Sequence, residues 1–222
     1  MSERDYKMAD HLLMGLDSAV RTLFGRPLVT ERANPADGID ETELSDQERD
    51  LTARLMRINH TGEVCAQALY QGQALTARLP QVREQMERAA QEENDHLAWC
   101  EKRLDELDNR KSLLNPFWYA SSFMLGAAAG LAGDKWSLGF VAETEHQVGA
   151  HLDEHINRVP QQDKRTHAVL QQMKTDEAEH AALALKAGGA ELPQPIKTAM
   201  NLTSKLMTKS VFYLYPNPWV QA

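Results

Sequence analysis

The chain is poor in cysteine: only Cys65 and Cys100 occur in 222 residues. That count excludes a disulfide framework and a CxxC redox or zinc site, and it fits a reducing, cytoplasmic-type compartment. Positive charge is also scarce. Lys and Arg number 24 against 32 Asp and Glu, a formal net charge of −8. A general nucleic-acid binder would carry the opposite excess. No run alternates as a strand does, and no GxGxxG loop offers a dinucleotide site. The amino terminus, MSERDYKMADHLLMGLDSAVRTLFG, lacks the basic stretch and long apolar core of a cleaved signal peptide. The uncharged segment Ser112 to Gly133 nears membrane-spanning length, but Asn115-Pro116 and several glycines interrupt it. It therefore reads as an interfacial or core helix rather than a span.

What remains is an ordinary globular composition, 42% apolar and 25% charged, arranged in helical periods. Residues 5 to 24 predict a short amphipathic helix, and Gly25 to Glu43, with two prolines and two glycines, a connecting loop. Ser45 with Glu48 is a capping box that opens a helix to about Arg78. Pro80 starts the next, to about Arg110. Further helices are expected over 117–132, from Lys135 to Val159, and from Gln161 to Lys186, where Gly188-Gly189 stops the chain. A last one follows Pro193 and Pro195. The fold class is all-α, a four-helix bundle over 45–222 with additional apolar, membrane-associated helices and an amino-terminal amphipathic helix-and-loop extension over 1–44.

The chemistry lies in a repeated spacing. Glu93 and His96, and again Glu177 and His180, stand three apart, on one helix face and one turn apart. A carboxylate and an imidazole so placed can share a metal ion. Ferritin-like di-iron bundles use two such pairs and one glutamate from each of two other helices. Glu63 lies 30 residues before Glu93, and Glu145 lies 32 before Glu177, each gap fitting a helical hairpin.

Chance must be weighed, because 18 glutamates and eight histidines make roughly one accidental ExxH. A third does occur, Glu143 with His146. Helical faces decide against it. Glu145 shares the apolar stripe of Val141, Val148, Leu152, Ile156 and Val159, whereas Glu143 and His146 share the polar side with Gln147 and Asp153. By the same reasoning Glu92, Asp95, Asp176 and Glu179 fall on other faces than the ligand pairs. Four buried carboxylates without counter-ions would cost several kcal/mol each, roughly, and two divalent cations would remove that cost. The net charge would then be about −4. A carboxylate-rich set with one imidazole per metal suits iron or manganese better than zinc. His155 reads as partly exposed, His11 and His167 as surface, and His60 as a core or metal-supporting histidine. Cys65 and Cys100 read as buried small residues, and Trp99, Trp118, Trp136 and Trp219 as packing or anchoring groups.

The segment Arg57-Ile58-Asn59-His60-Thr61-Gly62-Glu63 with Ala66 and Tyr70, then Glu93 to His96, Glu145 with His151, and Asp176 to His180, resembles the demethoxyubiquinone monooxygenases of ubiquinone biosynthesis. The resemblance spans about residues 50 to 215. It implies a ferritin-like di-iron centre in which Glu63, Glu93 and His96 hold one Fe2+ and Glu145, Glu177 and His180 the other, with Glu93 and Glu177 bridging. It implies a hydrogen-bonding or electron- and proton-delivery role for His151. Eukaryotic members have a tyrosine after that histidine where this chain has Leu152, so no role of that tyrosine transfers. The implied reaction uses O2 to hydroxylate a 2-polyprenyl-3-methyl-6-methoxy-1,4-benzoquinol, with electrons ultimately from NADH or another reductant. The implied setting is the cytoplasmic side of a cell membrane, as a peripheral protein, with partners from a ubiquinone-biosynthesis complex or a second copy of the chain. Met200, Leu202, Leu206, Met207, Val211 and Phe212, interleaved with Lys197, Lys205 and Lys209, fit a membrane surface, or closure of the bundle or of a dimer interface, equally. The rival readings are another ferritin-like oxidase or a tRNA hydroxylase, and a non-catalytic membrane adaptor.

Overall fold

The computed structural model describes residues 8–27 and 32–214. Residues 5–7 of the expected first helix, and Trp219, lie outside the described residues, as does the side chain of His11. The described residues form seven helices and no strand: α1 (Met8–Phe24), α2 (Asp46–Thr76), α3 (Pro80–Glu106), α4 (Asn115–Ala132), α5 (Asp134–Arg158), α6 (Lys164–Lys186) and α7 (Gln194–Tyr213). None is long and apolar enough to cross a membrane.

Local chemistry sets the helix ends. Ser45 accepts from the Glu48 N–H, and the Glu48 carboxylate accepts from the Ser45 N–H at 2.9 Å, closing the expected box ahead of α2. The third helix stops at Glu106, short of Arg110. Asp108 takes a φ of 53°, and the Asn109 N–H turns back onto the Leu104 carbonyl at 2.9 Å. The sixth starts at Lys164 rather than Gln161, because the Asp163 carboxylate caps it by accepting from the Thr166 N–H at 3.0 Å.

Hairpins α2–α3 and α5–α6 face each other, α3 meeting α6 and α2 meeting α5. Leu55, Met56, Trp99, Leu104, Leu152, Leu170 and Met173 fill one end of the bundle. Tyr70, Met86, Leu138, Val141 and Ala184 fill the other. Each fully buried Leu or Met contributes roughly 1.5–3 kcal/mol. Between the two clusters lies the level of Glu63, Glu93, Glu145 and Glu177 on their four helices.

The uncharged segment forms α4, which lies along the outside of α2. Glycine permits the approach. A Cβ at Gly126 would sit 2.2 Å from the Leu69 carbonyl oxygen, and one at Gly72 would sit 2.3 Å from that of Phe123. The opposite side of α4 leaves Phe117, Met124, Leu125 and Leu131 exposed.

Residues 32–44, ahead of α2, form an arm across the seam between α3 and α6. Buried Arg103 of α3 donates two parallel bonds to Glu41 at 2.7 and 3.0 Å and one to Asp163 at 3.0 Å. Arg165 of α6 adds an ion pair to Glu41 at 3.3 Å. Such bidentate, charge-assisted bonds are among the stronger polar contacts a fold can make.

Candidate metal centre

Each hairpin contributes three of the six residues singled out by spacing: Glu63, Glu93 and His96 from α2 and α3, and Glu145, Glu177 and His180 from α5 and α6. All six are buried, the most exposed being His180 at 8%. Their ligand atoms fall into two groups, each lying within 4.8 Å of one another: Glu63, Glu93, His96 and Glu177, and Glu93, Glu145, Glu177 and His180.

Glu93 and Glu177 belong to both groups, and their oxygens show why. Glu93 places Oε2 2.9 Å from His96 Nδ1 and Oε1 3.1 Å from His180 Nδ1. Glu177 places Oε1 3.3 Å from His96 Nδ1 and Oε2 3.3 Å from His180 Nδ1. Each of these carboxylates therefore offers one oxygen to each histidine. The lone Glu63 approaches His96 Nδ1 at 3.7 Å, and the lone Glu145 accepts a hydrogen bond from the Tyr70 hydroxyl.

The electrostatics describe a cluster short of positive charge. Burial pushes the Glu63 and Glu145 carboxyls well up, and the neighbouring carboxylates add to it. Burial also opposes charge on the imidazoles, but the surrounding carboxylates win. They hold His96 well above its usual range and raise His180 to about 12. Glu93 would be raised by burial, yet His96 and His180 hold it well below the carboxylate range. Its Oε1 has the His180 ring nitrogen at 3.1 Å as its charged neighbour.

Two acids on the other faces of their helices also reach the cluster. Asp176, which helical geometry turned away from Glu177, instead reaches across to α3 and accepts from His96 Nε2 at 2.9 Å. Glu92 likewise reaches across to α6, 2.7 Å from His180 Nε2. Each histidine is thus oriented by the acid immediately preceding the doubly shared glutamate of the other hairpin. The signal was present in the sequence: Glu92-Glu93-Asn94-Asp95-His96 and Asp176-Glu177-Ala178-Glu179-His180 share the order acid, Glu, any residue, acid, His. Asp95 is buried and accepts from the Arg32 backbone N–H at 3.1 Å, whereas Glu179 is exposed.

The decoy pair lies outside the cluster. His146 is exposed, and Glu143 bonds Gln147 and pairs with Lys197 of α7 at 3.5 Å. His151 is half-buried, and its electrostatic neighbours are Glu154 and Lys205 rather than the six residues. His155, expected to be partly exposed, is buried, with Nδ1 2.7 Å from Asn59 Oδ1. His60 is buried 3.7 Å from Glu101. Burial raises the thiol of Cys65 to about 11 and that of Cys100 well above its usual value, so neither is a ready nucleophile.

An all-helical bundle enclosing two overlapping, buried carboxylate–histidine groups, each of which could hold a metal ion, defines the class of protein, with donors suited to hard or borderline divalent cations. The particular family follows from comparison with known proteins. Residues 50–211 match the family described as "Ubiquinone biosynthesis protein COQ7". A protein of Nitrosococcus oceani named 3-demethoxyubiquinol 3-hydroxylase is 56% identical over 214 residues, 96% of this chain and 100% of that protein. Proteins of the same name from Chromohalobacter salexigens and Legionella pneumophila are 58% identical over 211 residues and 57% over 212, each covering 95% of this chain and 99% and 100% of their own lengths. The chain belongs to the COQ7 family of ubiquinone biosynthesis and is a hydroxylase of the monooxygenase type.

Proposed function

We propose that this protein hydroxylates 3-demethoxyubiquinol, a 2-polyprenyl-3-methyl-6-methoxy-1,4-benzoquinol, at its one unsubstituted ring carbon, using O2 and two iron ions in a ferritin-like bundle. The observation that carries the reading is the shared pair, Glu93 and Glu177, each giving one oxygen to each half of a buried cluster.

The residues fit the metal. Four carboxylates and two imidazoles converge in one buried cluster, and the donor set of oxygens with one imidazole per group suits iron. Glu63, Glu93 and His96 would hold one ion, and Glu145, Glu177 and His180 the other, with Glu93 and Glu177 bridging. When bound, the two ferrous ions supply the electrons and coordination positions that activate O2. In the net reaction a ring C–H becomes C–OH, the second oxygen atom leaves as water, and two electrons and two protons enter, the electrons ultimately from NADH or another reductant.

The protein's own part is positional. Asp176 and Glu92 keep Nε2 of each histidine occupied and aim Nδ1 inward. The Tyr70 hydroxyl orients Glu145. A closed crevice between α2 and α5, without room for a water molecule, is lined by Ala66, Leu69, Gln73, Phe140, Val141 and Thr144 beside Tyr70 and Glu145, so entry of a ring on this side requires the two helices to part. His151 stands off the cluster, where a proton- or electron-delivery role remains its proposed use. A polyprenyl substrate places the enzyme peripherally at a membrane, and a biosynthetic complex or a second copy would supply its partners.

The test is reconstitution. Purified protein should take up about two irons per chain and convert demethoxyubiquinol under O2 and a reductant. Glu177→Ala should lose both iron loading and product, and product formation by that variant would reject the proposed centre. A gene deletion that leaves the quinone intermediates unchanged would reject the substrate.

A further inference from the structure

One cationic side chain from outside the bundle reaches the edge of the centre. Arg32, on the arm, donates from Nη1 to Asp176 Oδ2 at 2.7 Å, and its Nη2 lies 3.4 Å from His96 Nε2. Its backbone N–H bonds Asp95, and its guanidinium lies over Trp99, 5.2 Å from the ring centroid. The His96 ring packs on the same indole at 5.2 Å. Asp176 is thereby gripped at both oxygens, since Gln172 donates to Oδ1 at 2.9 Å. The arm's far end is pinned by Glu41 on Arg103 and Arg165.

The other half is built differently. Glu92, beside His180, is paired with Arg88 one turn earlier on its own helix, and the Arg88 side chain is 52% exposed. An exposed pair of this kind fixes little.

Resting on the reading that the six residues hold two metal ions, we propose that Arg32 is a positioning residue for the His96 half of the centre, fixing Asp176 and, through it, the imidazole presented to the metal. The guanidinium and the imidazole share one oxygen of Asp176. Without Arg32 that carboxylate loses a charged partner and can turn about Gln172, and His96 loses its fixed orientation. Two effects then compete. Losing a half-exposed positive charge favours a bound cation by at most about fivefold. Losing the outer support of a histidine ligand weakens metal binding roughly 10–100-fold. The second dominates, and only one of the two ions feels it.

The experiment uses the full chain loaded with two equivalents of 57Fe(II), comparing wild type, Arg32→Ala, Arg32→Lys and Arg88→Ala. Release of iron to a chelator and the Mössbauer spectrum are both read. In Arg32→Ala one ion should leave about tenfold faster than in wild type, and one ferrous doublet should broaden or shift while the other holds. Arg32→Lys, which keeps the charge without the planar fork, should fall between. It also carries the comparison if circular dichroism shows Arg32→Ala unfolded. Arg88→Ala should resemble wild type. Wild-type release and both doublets unchanged in Arg32→Ala would overturn the proposal and leave the enzyme reading intact, as would an equal effect in Arg88→Ala. A wild-type chain that binds no iron pair would overturn the enzyme reading before any substitution is made, and this one with it.

Discussion

At the scale of single residues, the six cluster positions were legible because a helix makes i and i+3 share a face, and an inward carboxylate on an apolar stripe stands out. Glu145 against Glu143 shows that rule working. Asp176 and Glu92 show its limit: a helical wheel says which way a side chain leaves its own helix, not what it meets on the next. Arg32 was beyond any such rule, since its partners lie 63, 64 and 144 residues along the chain. His155 is buried for the same reason, with Asn59 meeting it from another helix. Burial holds its imidazole neutral, with the pKa lowered from 6.5 to about 3. The unfolded chain therefore binds the extra proton between those values, and stability is lost as the pH falls from about 6.5 towards about 3. In denaturant titrations of metal-free protein, the stability advantage of wild type over His155→Gln should shrink across that window. A gap that stays constant from pH 7 to 4 would contradict a buried neutral imidazole.

At the scale of elements, helix boundaries were readable wherever a covalent or capping constraint acts locally, as at Ser45, Pro80 and Gly188. They slipped by a few residues where the stop depends on a backbone turn such as that at Asp108. The docking of α4 was not readable, because apolar content alone does not say which face meets protein. The glycines answer that question once the packing is seen. Gly126→Ala must push α4 from α2 to relieve a 2.2 Å contact with backbone, and backbone cannot rotate away as a side chain would. A loss of about 1–3 kcal/mol is expected, read as a lower denaturation midpoint in urea. Alanine at Gly62, where a Cβ meets nothing within 4 Å, is the internal control and should be neutral or better.

At the scale of the whole molecule, the all-α class was plain from the sequence, and the surface was the harder part. Phe117, Met124 and Leu131 recur every seven residues along the outside of α4, exposed by 61, 65 and 66%. Leu202 and Leu206 of α7 are 62 and 64% exposed. These are faces with which a peripheral enzyme would meet lipid. Replacing Met124 and Leu131 together by Glu touches no core side chain. At roughly 1.5–3 kcal/mol for each buried apolar group, it should cut co-flotation with phospholipid vesicles by more than tenfold. Equal flotation of the variant would remove α4 from the membrane-facing surface.

The crossed support of the two histidines has a consequence for how such a centre is divided along a chain. Neither hairpin is self-sufficient: α2–α3 holds His96 but borrows Asp176 and Glu177, and α5–α6 holds His180 but borrows Glu92 and Glu93. Cutting the chain between the hairpins would yield two pieces that each lack the same parts. Conversely, one hairpin bearing a lone glutamate and the run acid-Glu-any-acid-His contains everything its twin requires. Two copies related by a two-fold axis would complete one another, and the present chain has the architecture of such a pair written end to end.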